Sequence, residues 1–354
     1  MKTETNSLNH DSEQRWYILG AGAIGCLWAC ALRQAGEAVS LIVREHRLKD
    51  SSKSQPQDIQ LTPFDKTQSR QNFSVELITA AQLVQNQTAD TPIDRLIIAT
   101  KAYDAVAAVE SVLPCLAPNA KVISLCNGMG MHQTILAKLR SYINQQQDRQ
   151  LYLGVTSDGS LLSNNYQLTH TGQGETFIGE YIDAITEKRV KPSTAFPSIV
   201  FNQEKFFLNT QASDDINFHA WQKLLINCAI NPLTAKYQCK NGELLSEPAF
   251  YQHLVNLCDE LANIYQAFSK KNVQPDSRPL SAITAEALLN AASHVATQTM
   301  ANSSSMLKDI QAGRRLELDY LNGYIVKLAV AAGLACPINE QLIADLTANS
   351  AIIN

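Results

Sequence analysis

The chain has 354 residues, more than one hydrophobic core usually serves, so two domains are expected. With 45% hydrophobic and 18% charged residues and a net charge of −4, it reads as a globular enzyme; the lack of a basic surplus argues against nucleic acid or an anionic membrane as partner. The eight cysteines have no C-x-x-C spacing and look like small buried hydrophobes. Residues 1–14 form a polar tail without a signal-peptide pattern, and no apolar run reaches the ~18 residues of a membrane span, so a reducing cytoplasm fits best.

Trp16 to Leu19 is a short apolar run that opens into Gly20-Ala21-Gly22-Ala23-Ile24-Gly25 and then into a helix-like segment ending at Gly36. Strand, glycine turn and helix in this order let a backbone approach a pyrophosphate and place it at a helix N-terminus. The second strand is expected over Val39 to Val43 and ends at Arg44-Glu45. An arginine at this strand end favours the 2′-phosphate of NADP, whereas an acidic residue favours the free hydroxyl of NAD. Arg44 points to NADPH, and Glu45 beside it leaves the other choice open.

From residue 46 to 72 the chain is polar and is expected to form exposed loop around short strands near Ile59 and Phe73. Arg95 to Thr100 reads as a buried strand that delivers Lys101 to the carboxyl edge of the sheet, where open α/β sheets bind ligands. Lys101 can equally be an ordinary solvated lysine. Ala120 to Cys126 repeats the arrangement and empties into Asn127-Gly128-Met129-Gly130, a turn that puts Asn127 within reach of a nicotinamide or substrate. Further strands are expected over residues 151–155, 166–171 and 176–178.

Beyond about Ala212 helical periods replace strand signals. The expected fold class is therefore α/β followed by all-α, with a Rossmann-type dinucleotide-binding domain over residues 15–211 and a helical substrate domain over residues 212–354. Lys223, Asn227 and Asn231 are four residues apart and form one polar stripe on an otherwise apolar helix. Either a polar ligand satisfies that stripe, or neighbouring backbone and water do so around a kink at Pro232. A single helix is expected from Ser305 to Val330, with Glu317 inside its apolar seam, a position that requires a partner or a cavity. Residues 302–305 read as its N-cap.

Together these segments resemble the ketopantoate reductase (2-dehydropantoate 2-reductase) family over nearly the whole chain. The motifs that carry the resemblance are GAGAIG, Lys101 after its strand, CNGMG, KLLINCAINPLTAKYQCKNGEL, SSSMLKDI and RRLELDYLNGY. The resemblance implies NADPH as cofactor, a small 2-keto acid as substrate, and reduction of ketopantoate to (R)-pantoate in pantothenate and coenzyme A synthesis, with a homodimer allowed. It makes Lys223 the catalytic lysine and Glu317 the acidic residue that binds and orients substrate. Asn227, Asn231, Asn241 and Ser305 match substrate-side residues. Lys101 and Asn127 match residues beside the nicotinamide, and Arg44 matches the 2′-phosphate arginine. Two departures are the long polar stretches at residues 45–72 and 144–150, and a third is Thr156-Ser157-Asp158, where a histidine is expected. The rival readings are a reductase of another 2-keto acid and an NADPH-binding redox sensor without chemistry.

Overall fold

The computed structural model describes residues 15–48, 53–86, 92–141, 149–181, 205–272 and 283–353, so the polar tail and residues 144–148 of the glutamine-rich stretch lie outside the described residues. The first domain opens with β1 (Arg15–Leu19), α1 (Ala23–Gln34), β2 (Ala38–Ile42), β3 (Gln55–Thr62) and β4 (Gln71–Ile78). It continues through α2 (Ala80–Asn86), β5 (Ile93–Ile98), α3 (Ala102–Val112), β6 (Leu116–Ser124), α4 (Met131–Ser141) and β7 (Gln150–Thr156). β8 (Gly159–Ser163), β9 (Gln167–Gly172), β10 (Glu175–Glu180) and β11 (Asn209–Ala212) complete it.

Among the described residues these eleven strands join one sheet in the order β11-β10-β7-β6-β5-β1-β2-β4-β3-β9-β8. β1 pairs in parallel with β2 on one side and β5 on the other, so the strand order reverses beside β1 and opens a crevice at the carboxyl ends of β1 and β5. The central strands read as continuous Val/Ile/Leu runs because helices cover both faces; Leu96, Ile97, Ile98, Val122 and Ile123 are wholly buried.

The polar stretch after β2 is more ordered than its composition suggests. β3 and β4 form an antiparallel pair with Ile59 opposite Phe73. Ile59, Leu61, Val75 and Leu77 are buried on one face while the alternate positions are polar, a period of two that overall composition conceals. β8, absent from the expected strands, pairs with β9, and β9 pairs in parallel with β3 at the far edge of the sheet. The extended sheet closes around α1, whose residues Cys26 to Leu32 are buried on every side. This explains why that helix is apolar around its whole circumference.

The second domain contains α5 (Ile216–Tyr237), α6 (Glu243–Ser246), α7 (Pro248–Asn272), α8 (Ala285–Gln298), α9 (Ser305–Gln311), α10 (Asn322–Ala332) and α11 (Pro337–Ile353). α5 runs through its core, with Leu224, Leu225, Cys228, Ala229, Ile230 and Leu233 all buried. Pro232 does not end this helix. The carbonyl of Cys228, which loses its helical donor to the proline, accepts instead from Asn322 Nδ2 at 3.0 Å. Asn322 also donates to Asn339 Oδ1 at 2.8 Å, and Asn339 donates to Glu260 Oε1 at 2.7 Å, so a buried amide chain ties α5 to α10, α11 and α7.

The expected continuous helix from Ser305 to Val330 is broken. After α9, Gly313 takes φ +61°, its N–H bonds the Ile310 carbonyl, and Arg314 N–H bonds the Asp309 carbonyl. That is a Schellman closure, with Gly313 as its left-handed residue. Glu317 consequently sits in the turn before α10 and not on a helical face.

Candidate active site

The glycine turn sits at the crevice. Gly20 has φ +101°, and a Cβ there would lie 2.9 Å from the Ala99 carbonyl oxygen; one on Gly25 would lie 2.1 Å from the Gly20 oxygen. Both positions need glycine for the close packing of β1, α1 and β5. At Gly22 the nearest atom to a Cβ is 3.9 Å away, so this glycine is unnecessary for packing and leaves the backbone open to a ligand. Gly22 is also the N-cap of α1 without a side-chain cap, and the first turn, Ala23 and Ile24 included, carries no acidic group. Open N–H groups, the helix dipole and the missing side chain fit a dinucleotide pyrophosphate.

β2 ends beside this turn. Arg44 donates to Asp104 Oδ2 at 2.6 Å, an exposed ion pair across the mouth of the crevice. Arg47 closes a single helical turn after β2 and donates to the carbonyl of Ala21 at 3.3 Å.

At the carboxyl edge, Asn127, Gly128 and Cys126 line one cavity together with Lys223, Asn227 and His132. Glycine is required at 128: φ is +84°, and a Cβ would meet the Tyr320 carbonyl oxygen at 2.4 Å. The same carbonyl accepts from Met129 N–H at 2.9 Å, locking this loop of the first domain onto the second. Among the described residues the Lys223 ammonium and the Asn227 and Asn231 amides make no hydrogen bond. Among the described residues the stripe is thus not satisfied by neighbouring protein groups, and its polar atoms need a ligand or water. Desolvation lowers the Lys223 pKa to about 8, against the opposing charges of Glu317 and Asp158. Burial holds His132 neutral with a pKa of about 4, hydrogen-bonded to Ser124 Oγ at 3.1 Å, and pushes the Cys126 thiol up to about 11.

Lys101 joins the two domains. Its ammonium lies 2.6 Å from Asp309 Oδ2 and 3.0 Å from Glu317 Oε2, and the other oxygen of Glu317 accepts from Ala102 N–H at 2.8 Å, at the start of α3. Burial pulls the Lys101 pKa down, but the two carboxylates outweigh it and leave it raised. Asp309 is also held by Arg314 Nε at 2.8 Å. Glu317 therefore has partners, Lys101 and Ala102, and both belong to the first domain.

The remaining substrate-side candidates are less closely gathered. Asn241 is buried and donates to Thr299 Oγ1 at 2.8 Å, while its side-chain oxygen has no partner among the described residues. Ser305 is exposed at the first turn of α9; the cap is Ser304, which is buried, accepts from Leu307 N–H and receives Thr234 Oγ1 from α5 at 2.7 Å.

Three site groups escaped the sequence reading. Asp309 follows the buried Met306 and Leu307 in α9, where an acid is as conspicuous as Glu317. His132 falls on the apolar face of α4 with Ile135, Leu136 and Leu139. Asp158 stands where a histidine was expected and is paired instead with His170 Nε2 at 3.1 Å, with further bonds from Thr156 Oγ1 and Gly174 N–H. Burial opposes its charge, yet these bonds prevail and keep its pKa low.

A Rossmann sheet with a dinucleotide-ready glycine turn, joined across a polar cleft to a helical domain that presents a lysine, defines a two-domain oxidoreductase. Residues 16–183 match the family described as ketopantoate reductase PanE/ApbA, and residues 215–349 match its C-terminal domain. The 2-dehydropantoate 2-reductase of Vibrio cholerae is 31% identical over 328 residues, covering 92% of this chain and 94% of that protein. Among solved structures, a PanE/ApbA family ketopantoate reductase from Ralstonia eutropha JMP134 aligns with a TM-score of 0.73 at 23% identity over 96% of this chain and 99% of that one. D-mandelate dehydrogenase, solved with NADH and anilino(oxo)acetate, aligns with a TM-score of 0.75 at 20% identity over 96% and 99%. The chain belongs to the ketopantoate reductase family.

Proposed function

We propose that this protein reduces 2-dehydropantoate to (R)-pantoate with NADPH. The observation that carries the reading is Lys223, an ammonium without a protein partner among the described residues, lining a cleft with Asn127 and Asn227. When bound, the dihydronicotinamide supplies the hydride. Lys223 faces a carbonyl oxygen that is nearly neutral in the substrate and becomes an alkoxide, so its attraction strengthens along the reaction coordinate. It then gives up a proton from Nζ to complete the alcohol. Asn227 and Asn231 orient the polar groups of the acid, Glu317 and Asp158 keep Lys223 cationic, and Arg44 supplies positive charge where a 2′-phosphate would lie. Lys101 bound to Asp309 and Glu317 keeps the two halves of the site in register.

The test is NADPH oxidation followed by absorbance with ketopantoate, 2-ketoisovalerate, which lacks the hydroxyl, and phenylglyoxylate, which suits a mandelate dehydrogenase. The highest kcat/KM is expected with ketopantoate. A preference for phenylglyoxylate would replace the substrate assignment, and NADPH binding without oxidation by any acid would leave a sensor.

A further inference from the structure

α7 packs on α5, α6, α8, α10 and α11, all helices of the second domain. Between its outer face and the turn that joins α10 to α11 lies an open groove of about 740 Å³, separate from the cavity that holds Lys223. The walls of this groove are fixed to each other. The Glu260 carboxylate accepts from the N–H groups of Ile338 and Asn339 at 3.0 and 2.9 Å, which clamps the first turn of α11 to α7. Apolar surface stands open beside it: Leu334 on the groove wall is 39% exposed, and Val330 in the last turn of α10 is 71% exposed. A preformed surface of this kind gives up little conformational freedom when it is covered and gains by leaving water.

The charges along α7 indicate what covers it. Asp259 and Lys270 both line the groove, and their separation of three helical turns, about 16 Å, returns them to the same side of the helix. Among the described residues neither has an ion-pair partner, and Asp259 accepts from the Asn263 amide at 3.4 Å. Between them lie the exposed Asn263 and the small Ala267, where another backbone can approach closely. An antiparallel second copy of α7, related by a two-fold axis at this midpoint, sets each Asp259 against the partner's Lys270. One acid and one base on a single chain then make two ion pairs, and a surface that complements itself in this way is what an isologous dimer requires. We propose that this protein forms a two-fold dimer through the α7 groove, with Leu334 and Val330 supplying apolar contact and Asp259 and Lys270 setting the register. No residue of the first domain lines the groove, so association does not depend on bound cofactor.

Sedimentation velocity of the full-length protein over a range of concentrations, without added cofactor, reads the mass directly. The wild type is expected to pass from the 38.9 kDa of one chain to twice that mass as concentration rises. Asp259→Lys and Lys270→Glu each oppose like charges at both ends of the contact, and each should raise the dissociation constant by about tenfold or more. The double variant exchanges the two signs and should return the constant to near the wild-type value. Leu334→Asp should leave a monomer, and thermal melts followed by circular dichroism check that every variant is folded. A wild type that stays monomeric at every concentration overturns the proposal and leaves the groove to a partner of another kind. A dimer indifferent to the single reversals, or one that the double variant does not restore, also overturns it, because the copies then meet on another face.

Discussion

If Lys223 donates the proton, reduction of the keto acid must slow as pH rises through about 8. The protonated amine is the active form, and desolvation has lowered its pKa from 10.5, so the loss falls in a range where an ordinary lysine remains charged. Neighbouring groups do not confuse the profile: His132 is neutral above about 4, and Cys126 keeps its proton until about 11. For one acid at about 8 the charged fraction is ~0.9 at pH ~7 and ~0.1 at pH ~9, so kcat/KM should fall about tenfold between them. Initial rates at fixed ionic strength give the profile directly. Replacing the carboxylates that hold Lys223 cationic, by Glu317→Gln or Asp158→Asn, should move the falling limb to lower pH. Lys223→Ala should reduce turnover by about 10²–10³ and abolish the limb, with NADPH binding by fluorescence little changed. A profile flat to pH ~10, or a limb that survives unaltered in Lys223→Ala, would refute the assignment.

Glu317→Gln keeps an oxygen for Ala102 N–H but loses its charge against Lys101, so turnover should fall by about 10–100-fold while the melting temperature stays near wild type, because Asp309 still pairs Lys101. Unchanged activity per folded molecule would make Glu317 purely structural. Gly25→Ala forces a Cβ to 2.1 Å from the Gly20 oxygen, and a loss of about 1–3 kcal/mol together with weakened dinucleotide binding is expected in urea unfolding and NADPH titration; wild-type values in both would contradict the packing role. Asn322→Leu leaves the Cys228 carbonyl without its donor, which should lower unfolding free energy by about 1–3 kcal/mol without altering NADPH affinity, and a change under about 0.5 kcal/mol would show that the proline gap is satisfied in another way.

The parts of this fold that could be read from the sequence are those where local chemistry dictates geometry. The glycine turn, the buried strands ending at Thr100 and Cys126, and the inverted polarity of α5 are of this kind, since each depends on residues within a few positions of one another. The broken helix after Ser305 was not legible because its apolar spacing suits a continuous helix as well as two shorter ones, and one glycine conformation decides between them. Asp309 and Glu317 meet Lys101 only through tertiary contact between domains, which no local pattern encodes. Likewise the pairing of Asp158 with His170 depends on a hairpin that leaves one edge of the sheet for the other.

That hairpin also fixes an order of assembly. Gln60 of β3 is paired with Gln167 of β9, so one rim of the nucleotide domain is completed by a segment that leaves the ribosome some hundred residues later. Until then β3 presents an unpaired edge and the apolar circumference of α1 lacks part of its cover, conditions that invite association with another chain. Non-local pairing of this sort makes folding slow relative to helical domains of the same stability. The nascent chain should therefore engage holding chaperones until β9 arrives, and truncations ending before Gln167 should aggregate even though they retain the whole glycine turn.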